Sequence, residues 1–443
     1  MNLEPPAKRP RTMVGDLVSA GGAIVRVCGL VEELGGDEAG RTARLRDVTG
    51  VVDLVHRATD GVDTMAAVLA SVGLGSAVEA VGRVVDGEES HGGPCLQLVD
   101  LDVVGPAVGE LPVDEASPLN ERLDWRFVDL RHRRNRLIFE VQTTAERAMR
   151  DHWHEHGFIE LHTPKFRPTP NQSGIELFTV GYFERSAYLA QSPQFSKQMA
   201  MAAGFDRVFE VGPAFRAQPD ATSRHATEFT SVDVEMSWIE SHEDVMAFEE
   251  VWLRRVIEAV AVAHGDEVKQ CFGVDVVVPE VPFPRLTLAQ AHEILAAAGH
   301  RVSGRKEGDL DPEGERIVAA KVAERTGHEF VFLTEYPEWV RAFYHMRLEH
   351  DSSRDKSFDL LWKGLEITTG AQREHRYDRL AAQAQVKGIS SEIVGYYLDF
   401  FKFGCPPHGG FGLGLTRFLM SILGVDDVRE VTFLHRGPDR LQP

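Results

Sequence analysis

The stretch from Phe209 to Trp238, FEVGPAFRAQPDATSRHATEFTSVDVEMSW, decides how the rest of the chain is read. Two strand-like runs, Val208–Pro213 and Ser231–Trp238, flank a loop that carries Arg224 and His225. Their β-branched and aromatic residues, bounded by Gly, Pro, Asp and Ser, have the chemistry of paired strands. Arg216 and Gln218 sit where the first strand ends, and Phe229 where the second begins.

Working outward, Ile138, Val141, Ala145, Ala148 and Met149 recur at helical spacing and predict a helix over 136–155. Gly157 stops it, and Phe158–Thr163 alternates like a strand before Pro164. Downstream, strand-like runs (Tyr188–Gln191, Phe330–Thr334, Ser357–Leu361) mix with helical ones (His242–His264, Leu288–Ala298, Glu313–Thr326, Ser391–Phe401). Strands in succession without a repeating βαβ unit predict an α+β domain on an antiparallel sheet flanked by helices. A glycine run, GCPPHGGFGLGLTRFL, fills Gly404–Leu419. The sequence contains no P-loop and no dinucleotide-binding glycine motif, and no internal repeat.

Ahead of this domain, residues 13–105 read as short strands with Gly-rich turns: Gly21–Val31, Ala43–Asp53 with a turn at Thr49-Gly50, Ala77–Val85 and Leu96–Val104. That pattern predicts a small barrel such as an OB-fold. Residues 106–130 are acidic and proline-containing and read as a hinge, leaving 131–443 as the second domain.

A length of 443 residues exceeds one ordinary core, and 43% apolar with 26% charged residues is a soluble composition. Cys28, Cys95, Cys271 and Cys405 lie far apart with no CxxC pair, which excludes a thiolate zinc site and fits a reducing cytoplasm. The sequence shows neither an apolar run of membrane-spanning length nor the apolar segment of a signal peptide, so no membrane association is expected. Forty-eight basic against 68 acidic residues give a net charge of −20, which counts against a broad RNA footprint while leaving room for a local basic strip.

The helix followed by GFIELHTP (Gly157–Pro164), the stretch 209–238 and the glycine run come in the order of the three class II aminoacyl-tRNA synthetase motifs. With QSPQFSKQ (Gln191–Gln198) and GLEITTGAQREHRY (Gly364–Tyr377), the chain resembles the aspartate-specific synthetases of archaeal type from about residue 13 to its end. The resemblance implies an OB-fold followed by a class II catalytic domain. It implies activation of L-aspartate, or a related dicarboxylic acid, by ATP and Mg2+ as an acyl-adenylate, transfer to tRNA, and a homodimer whose two-fold interface includes 136–155.

Such chemistry needs guanidinium groups and a divalent ion to neutralise phosphates and hold the reactants in line. By resemblance Arg216 takes the α-phosphate and Arg417 the γ-phosphate, which makes these two the catalytic arginines. Arg224 and His225 touch the outer phosphates, Phe229 stacks on adenine and Gln218 accepts from its amine. Asp359 and Glu366, with Thr369, hold the metal, and Glu366 also faces the nucleotide. Lys197 and Arg373 read the side-chain carboxylate, while Gln172, Gln194 and Asp233 line the amino-acid pocket. An isolated Asp or Arg is ordinarily a surface ion pair; an ordered set at matching spacing is not.

The chain also departs from the pattern. Gln172 replaces a glutamate that closes over the substrate ammonium, Gln218 a glutamate facing adenine, Thr416 an acid before Arg417, and His435 a proline. In the barrel, Thr42 and Asp53 stand where a phenylalanine and a glutamine read the central anticodon base. Asp53 is expected to turn a negative charge towards RNA that carries charge of the same sign, unless a neighbouring group compensates it. Two other readings follow: a paralogue that passes the acyl group to a non-tRNA acceptor, and a silent synthetase-like binding module. The survival of Arg216, Asp359, Glu366, Arg373 and Arg417 disfavours the second.

Overall fold

The structure, a computed structural model, describes residues 8–37, 40–57, 64–87, 93–169, 177–219, 222–302 and 308–443. Gln172 lies outside the described residues. The chain divides into two compact units, Met1–Ala116 and Ser117–Pro443. Among the described residues no helix is long and apolar enough to cross a membrane.

In the first unit, a 3-10 turn (Val14–Ala20) precedes β1 (Ile24–Asp37), β2 (Gly40–Arg46), β3 (Val51–Arg57), α1 (Thr64–Ser71), β4 (Ala77–Asp86) and β5 (Pro94–Gly105). The strands close into a barrel in the order β1-β2-β3-β5-β4, with β4 returning to β1. Alternation explains its core: Leu45, Leu54, Ala80 and Leu96 point inward and are fully buried, while Arg44 and Asp53 face out. The Asp53 charge has a partner next to it. Arg44 stands directly opposite in the β2–β3 register, and its Nε donates to Asp53 Oδ1 at 2.9 Å.

The second unit opens with α2 (Leu119–Asp124), α3 (Arg126–Asp129) and α4 (Arg133–Glu155). The first two helices fall in the stretch read as a hinge, yet they are anchored. The Arg126 guanidinium is 1% exposed and donates to the carbonyls of Glu430 at 2.6 Å and Thr432 at 3.0 Å. There follow β6 (Ile159–Glu160), β7 (Phe166–Arg167), β8 (Thr179–Tyr182), β9 (Arg185–Leu189), α5 (Gln194–Ala202), β10 (Arg207–Phe215) and β11 (Glu228–Ser237). Next come α6 (His242–Phe272), β12 (Arg285–Thr287), α7 (Leu288–Ala297), α8 (Pro312–Thr326), β13 (Phe330–Thr334), β14 (Ser357–Trp362) and β15 (Leu365–Gln372). The chain ends with α9 (Tyr377–Val386), α10 (Ser391–Leu398), β16 (His408–Gly414) and α11 (Leu415–Leu423).

Eight strands form one sheet in the order β12-β13-β14-β15-β16-β11-β10-β6. The six middle strands are antiparallel, as the sequence predicts; only the edge strands β12 and β6 pair in parallel. One face packs on α4, α6 and α11 through Val141, Trp153, Trp252, Phe358, Phe411 and Phe418, all at most 2% exposed. Helix α6 starts at a capping box on Ser241 and ends at Gly273, eight residues beyond Gly265. An interior glycine costs about 1 kcal/mol. Val268, fully buried one turn later, offsets that cost and carries the helix past His264, where its sequence pattern fades.

Candidate active site

The register of the sheet assembles the site. Asp233 on β11 pairs with Gly412 on β16, Gly412 with Thr369 on β15, and Thr369 with Asp359 on β14. Directly opposed residues share a face, so one row across four strands collects side chains from three distant segments. On β11 the apolar Val232 and Val234 go to the helix-covered core, which leaves Ser231, Asp233 and Glu235 on the other face. On β16, Gly410, Gly412 and Gly414 fall on that same face, and Phe411 and Leu413 on the core side. A Cβ on Gly412 would come within 3.2 Å of Asp233 Oδ1. The glycine run therefore keeps a floor clear.

Above this floor lies a cavity of about 300 Å³. Arg216, Gln218, Arg224, His225, Phe229, Thr416 and Arg417 line one part of it, with Glu366 and Thr369 beside them. Gln194, Ser231, Asp233, Tyr344, His345 and Arg373 line another. Lys197 and Asp359 sit one contact further back, Lys197 bonded to Asp233 and Asp359 to the lining residue Arg341.

At the cationic end, the Arg216 guanidinium lies 5.2 Å from the centre of the Phe229 ring. Burial and the neighbouring Arg417 lower its pKa, the expected result of crowding like charges into a partly desolvated cleft. Arg417 Nη1 donates to the Glu366 carbonyl at 2.9 Å, and its Nη2 meets His225 Nε2 at 3.2 Å. A guanidinium only donates, so that imidazole is neutral and accepts through Nε2. Its Nδ1–H then donates to Thr222 Oγ1, 2.6 Å away. Burial and the flanking arginines push the His225 pKa down to about 4, in agreement with that role. Arg224 is tied to Glu315 Oε2 at 2.9 Å and to the Gly364 carbonyl at 3.0 Å. Burial and the nearby Glu366 push Glu315 up to about 7.

Beside these cations, Thr369 Oγ1 donates to Glu366 Oε1 at 3.0 Å. Arg341 Nη2 donates to Asp359 Oδ2 at 2.6 Å, while Asp359 Oδ1 is buried with no hydrogen-bond partner among the described residues. Burial pushes the Asp359 pKa up against the pull of Arg341.

At the other end, Lys197 Nζ lies 3.0 Å from Asp233 Oδ1 and 3.4 Å from Glu235 Oε2. Arg373 Nε donates to Glu235 Oε1 at 3.0 Å, and Nη2 to the Gly410 carbonyl at 2.9 Å. Arg373 Nη1 meets His345 Nε2 at 3.2 Å, which makes His345 an acceptor. Burial lowers its pKa to about 4, and Nδ1 faces Asp355 Oδ2 at 3.6 Å. Gln194 Nε2 donates to Gln198 Oε1 at 3.0 Å. Two cations and two carboxylates thus balance in a buried cluster. Glu235, His345, Arg341 and Glu315 were not singled out from the sequence. The alternation in VDVEMS could have found Glu235; the others carry no local signal.

Comparison with known proteins gives the family. Residues 118–436 match the family described as tRNA synthetases class II (D, K and N). The chain is 39% identical over 430 residues to an aspartate–tRNA(Asp/Asn) ligase of Aeropyrum pernix, covering 95% of this chain and 96% of that protein. Among solved structures, an asparaginyl-tRNA synthetase of Pyrococcus horikoshii complexed with asparaginyl-adenylate superposes with a TM-score of 0.90. It is 28% identical and covers 98% of this chain and 100% of that one. A putative aspartyl-tRNA synthetase of Leishmania major also gives 0.90, at 27% identity, covering 100% of this chain and 97% of that one. With its barrel, its antiparallel sheet and its row of polar groups above a glycine floor, this chain belongs to the class II tRNA synthetases of the D, K and N group.

Proposed function

We propose that this protein activates L-aspartate with ATP as aspartyl-adenylate and transfers the aspartyl group to tRNA. In the first step a carboxylate oxygen bonds to the α-phosphorus, and the bond from that phosphorus to pyrophosphate breaks. The observation that carries the reading is one cavity lined by Arg216, Arg417, Asp233 and Arg373, the last two paired with Lys197 and Glu235 outside its lining.

Arg216 and Arg417 bind the phosphates, and Arg216 is the group that stabilises charge growing on the α-phosphate. Phe229 supplies a stacking face for adenine, with Gln218 near its edge. Arg224 and His225 orient the outer phosphates, His225 as a neutral acceptor that fixes the Arg417 guanidinium. Asp233 and Gln194 receive the substrate ammonium, and Arg373 and Lys197 its side-chain carboxylate. The Arg373 guanidinium only donates, so it matches the two acceptor oxygens of a carboxylate and not the NH2 of an amide, which favours aspartate over asparagine. The residues near Arg417 also fit a magnesium ion. Glu366, Thr369 and Asp359 offer hard oxygen donors, and Asp359 Oδ1 is buried without a partner among the described residues. When bound, the ion supplies charge neutralisation for the phosphates.

Two wider features belong to the same proposal. A depression beside α4, about 720 Å³ and lined by Phe139, Pro213, Leu415, Val431 and Phe433, supports a homodimer through this face. Four cysteines, none in a disulfide, support a cytoplasmic location.

The test is ATP–pyrophosphate exchange over a panel of acids, followed by transfer to total tRNA. Exchange with aspartate and charging of tRNA bear the proposal out. Exchange without charging would move the acceptor elsewhere, and no exchange with any acid would end the catalytic reading.

A further inference from the structure

The barrel is chemically unlike a surface that receives single-stranded RNA. No Phe, Tyr or Trp occurs before Trp125, although the chain contains 24 Phe, 7 Tyr and 6 Trp. Residues 1–116 hold 9 Lys and Arg against 19 Asp and Glu, which is half of the chain's net charge of −20. Proteins that hold unpaired bases on such a barrel stack them on aromatic rings and track the backbone with cations.

Among the described residues, Arg26 on β1 and Arg44 and Arg46 on β2 are engaged within the barrel. Arg44 Nε donates to Asp53 Oδ1 at 2.9 Å, and its Nη1 to Glu33 Oε2 at 2.6 Å. Arg46 holds Glu32 in the same way, and Arg26 holds Glu79 at 2.7 Å. Between these pairs the face offers small or aliphatic groups: Thr42 stands opposite Val55 and Gly35, and Val51 is 52% exposed. These ion pairs neutralise Arg26, Arg44 and Arg46, and the barrel's sequence gives a base no Phe, Tyr or Trp ring to stack on.

We infer that the barrel does not read the bases of an RNA loop, and that the catalytic unit alone selects the acceptor, so aspartyl transfer is indifferent to the anticodon. The inference deepens the proposed function and rests on it for the transfer step, but the barrel's part in it is tested separately.

The deciding measurement is fluorescence anisotropy of the full chain with a labelled anticodon stem-loop of an aspartate tRNA, beside a second stem-loop with all three anticodon bases replaced. Equal affinity for both, or no saturable binding of either, supports the inference. Stacked bases are worth roughly ten- to hundred-fold each in affinity. A preference of that size for the native anticodon would overturn it. Charging of the two matching full-length tRNAs is then compared. Values of kcat/KM within about threefold agree with it, whereas a loss of about a hundred-fold on changing the anticodon overturns it. If aspartate supports pyrophosphate exchange but neither tRNA is charged, the transfer half of the proposed function fails, and the stem-loop result still decides the barrel's role.

Discussion

The Arg373 guanidinium, which lines the cavity, meets the Glu235 carboxylate at 3.0 Å, the first 3% exposed and the second not at all. Burial by itself would push the Glu235 pKa up; Arg373 and Lys197 outweigh it and hold the group below its ordinary value. The carboxylate therefore stays charged and fixes the cation that faces the cavity. Removing one partner of such a pair typically costs about 3–5 kcal/mol, because the other charge is left buried and alone.

Arg373→Ala should abolish aspartate-dependent pyrophosphate exchange. The variant loses the guanidinium offered to the substrate and also frees the Glu235 charge to repel an incoming carboxylate. Near-normal exchange in a folded variant would show that the side-chain carboxylate binds elsewhere.

Glu249 gives a pH signature. It is fully buried on α6, accepts from Thr368 Oγ1 at 2.6 Å through Oε1, and leaves Oε2 without a partner among the described residues. Burial pushes its pKa up to about 8, so the folded protein holds a proton that the unfolded chain releases near 4.5. That contribution is fully present below about pH 4.5 and is lost as pH rises through about 8, a change of at most a few kcal/mol. Glu249→Gln, which cannot ionise, should gain in Tm over the native protein as pH rises from 5 to 8.5. Parallel melting curves across that range would contradict the assignment.

Arg341 and Asp359 should show strong coupling. Arg341→Met leaves the buried Asp359 carboxylate unpaired and is expected to cost about 3–5 kcal/mol in urea unfolding. Arg341→Met combined with Asp359→Leu should cost less than Arg341→Met by itself. Additive losses in the double-mutant cycle would mean that the 2.6 Å contact carries no net pairing energy.

Gly410→Ala tests the floor. A Cβ there would overlap the Val234 carbonyl and come within 2.6 Å of Glu235 Oε2. Since β11 cannot move without disturbing Lys197 and Arg373, the expected cost is about 3 kcal/mol or more, visible as a lower Tm. A silent substitution would mean that β16 can shift freely against β11.

His225→Ala should raise the KM for ATP by about tenfold while leaving the KM for aspartate unchanged, because it removes the acceptor that orients Arg417. The imidazole is neutral above about pH 4, so the native protein's KM for ATP should show no histidine step between pH 6 and 8. A step near pH 6.5 would mean that His225 is charged in the free protein.

Much of this was legible in the chain itself. Helical spacing around Ile138 and Val141, the paired runs on either side of Arg224, and the short strands before residue 105 are local patterns. Local periodicity and turn chemistry act over a few residues, so these elements and their order could be read from the chain, while the short helices α1, α5, α9 and α11 could not. Only the tertiary structure decided which charges meet. It set Arg44 across from Asp53, drew Arg341 onto Asp359, lined up Asp233, Gly412, Thr369 and Asp359 in one row, and bound Glu235 between Lys197 and Arg373. The physical reason is register. A charge's partner depends on how strands far apart in sequence align, and a shift of one residue would turn Asp53, Asp233, Glu235, Asp359 or Thr369 to the opposite face.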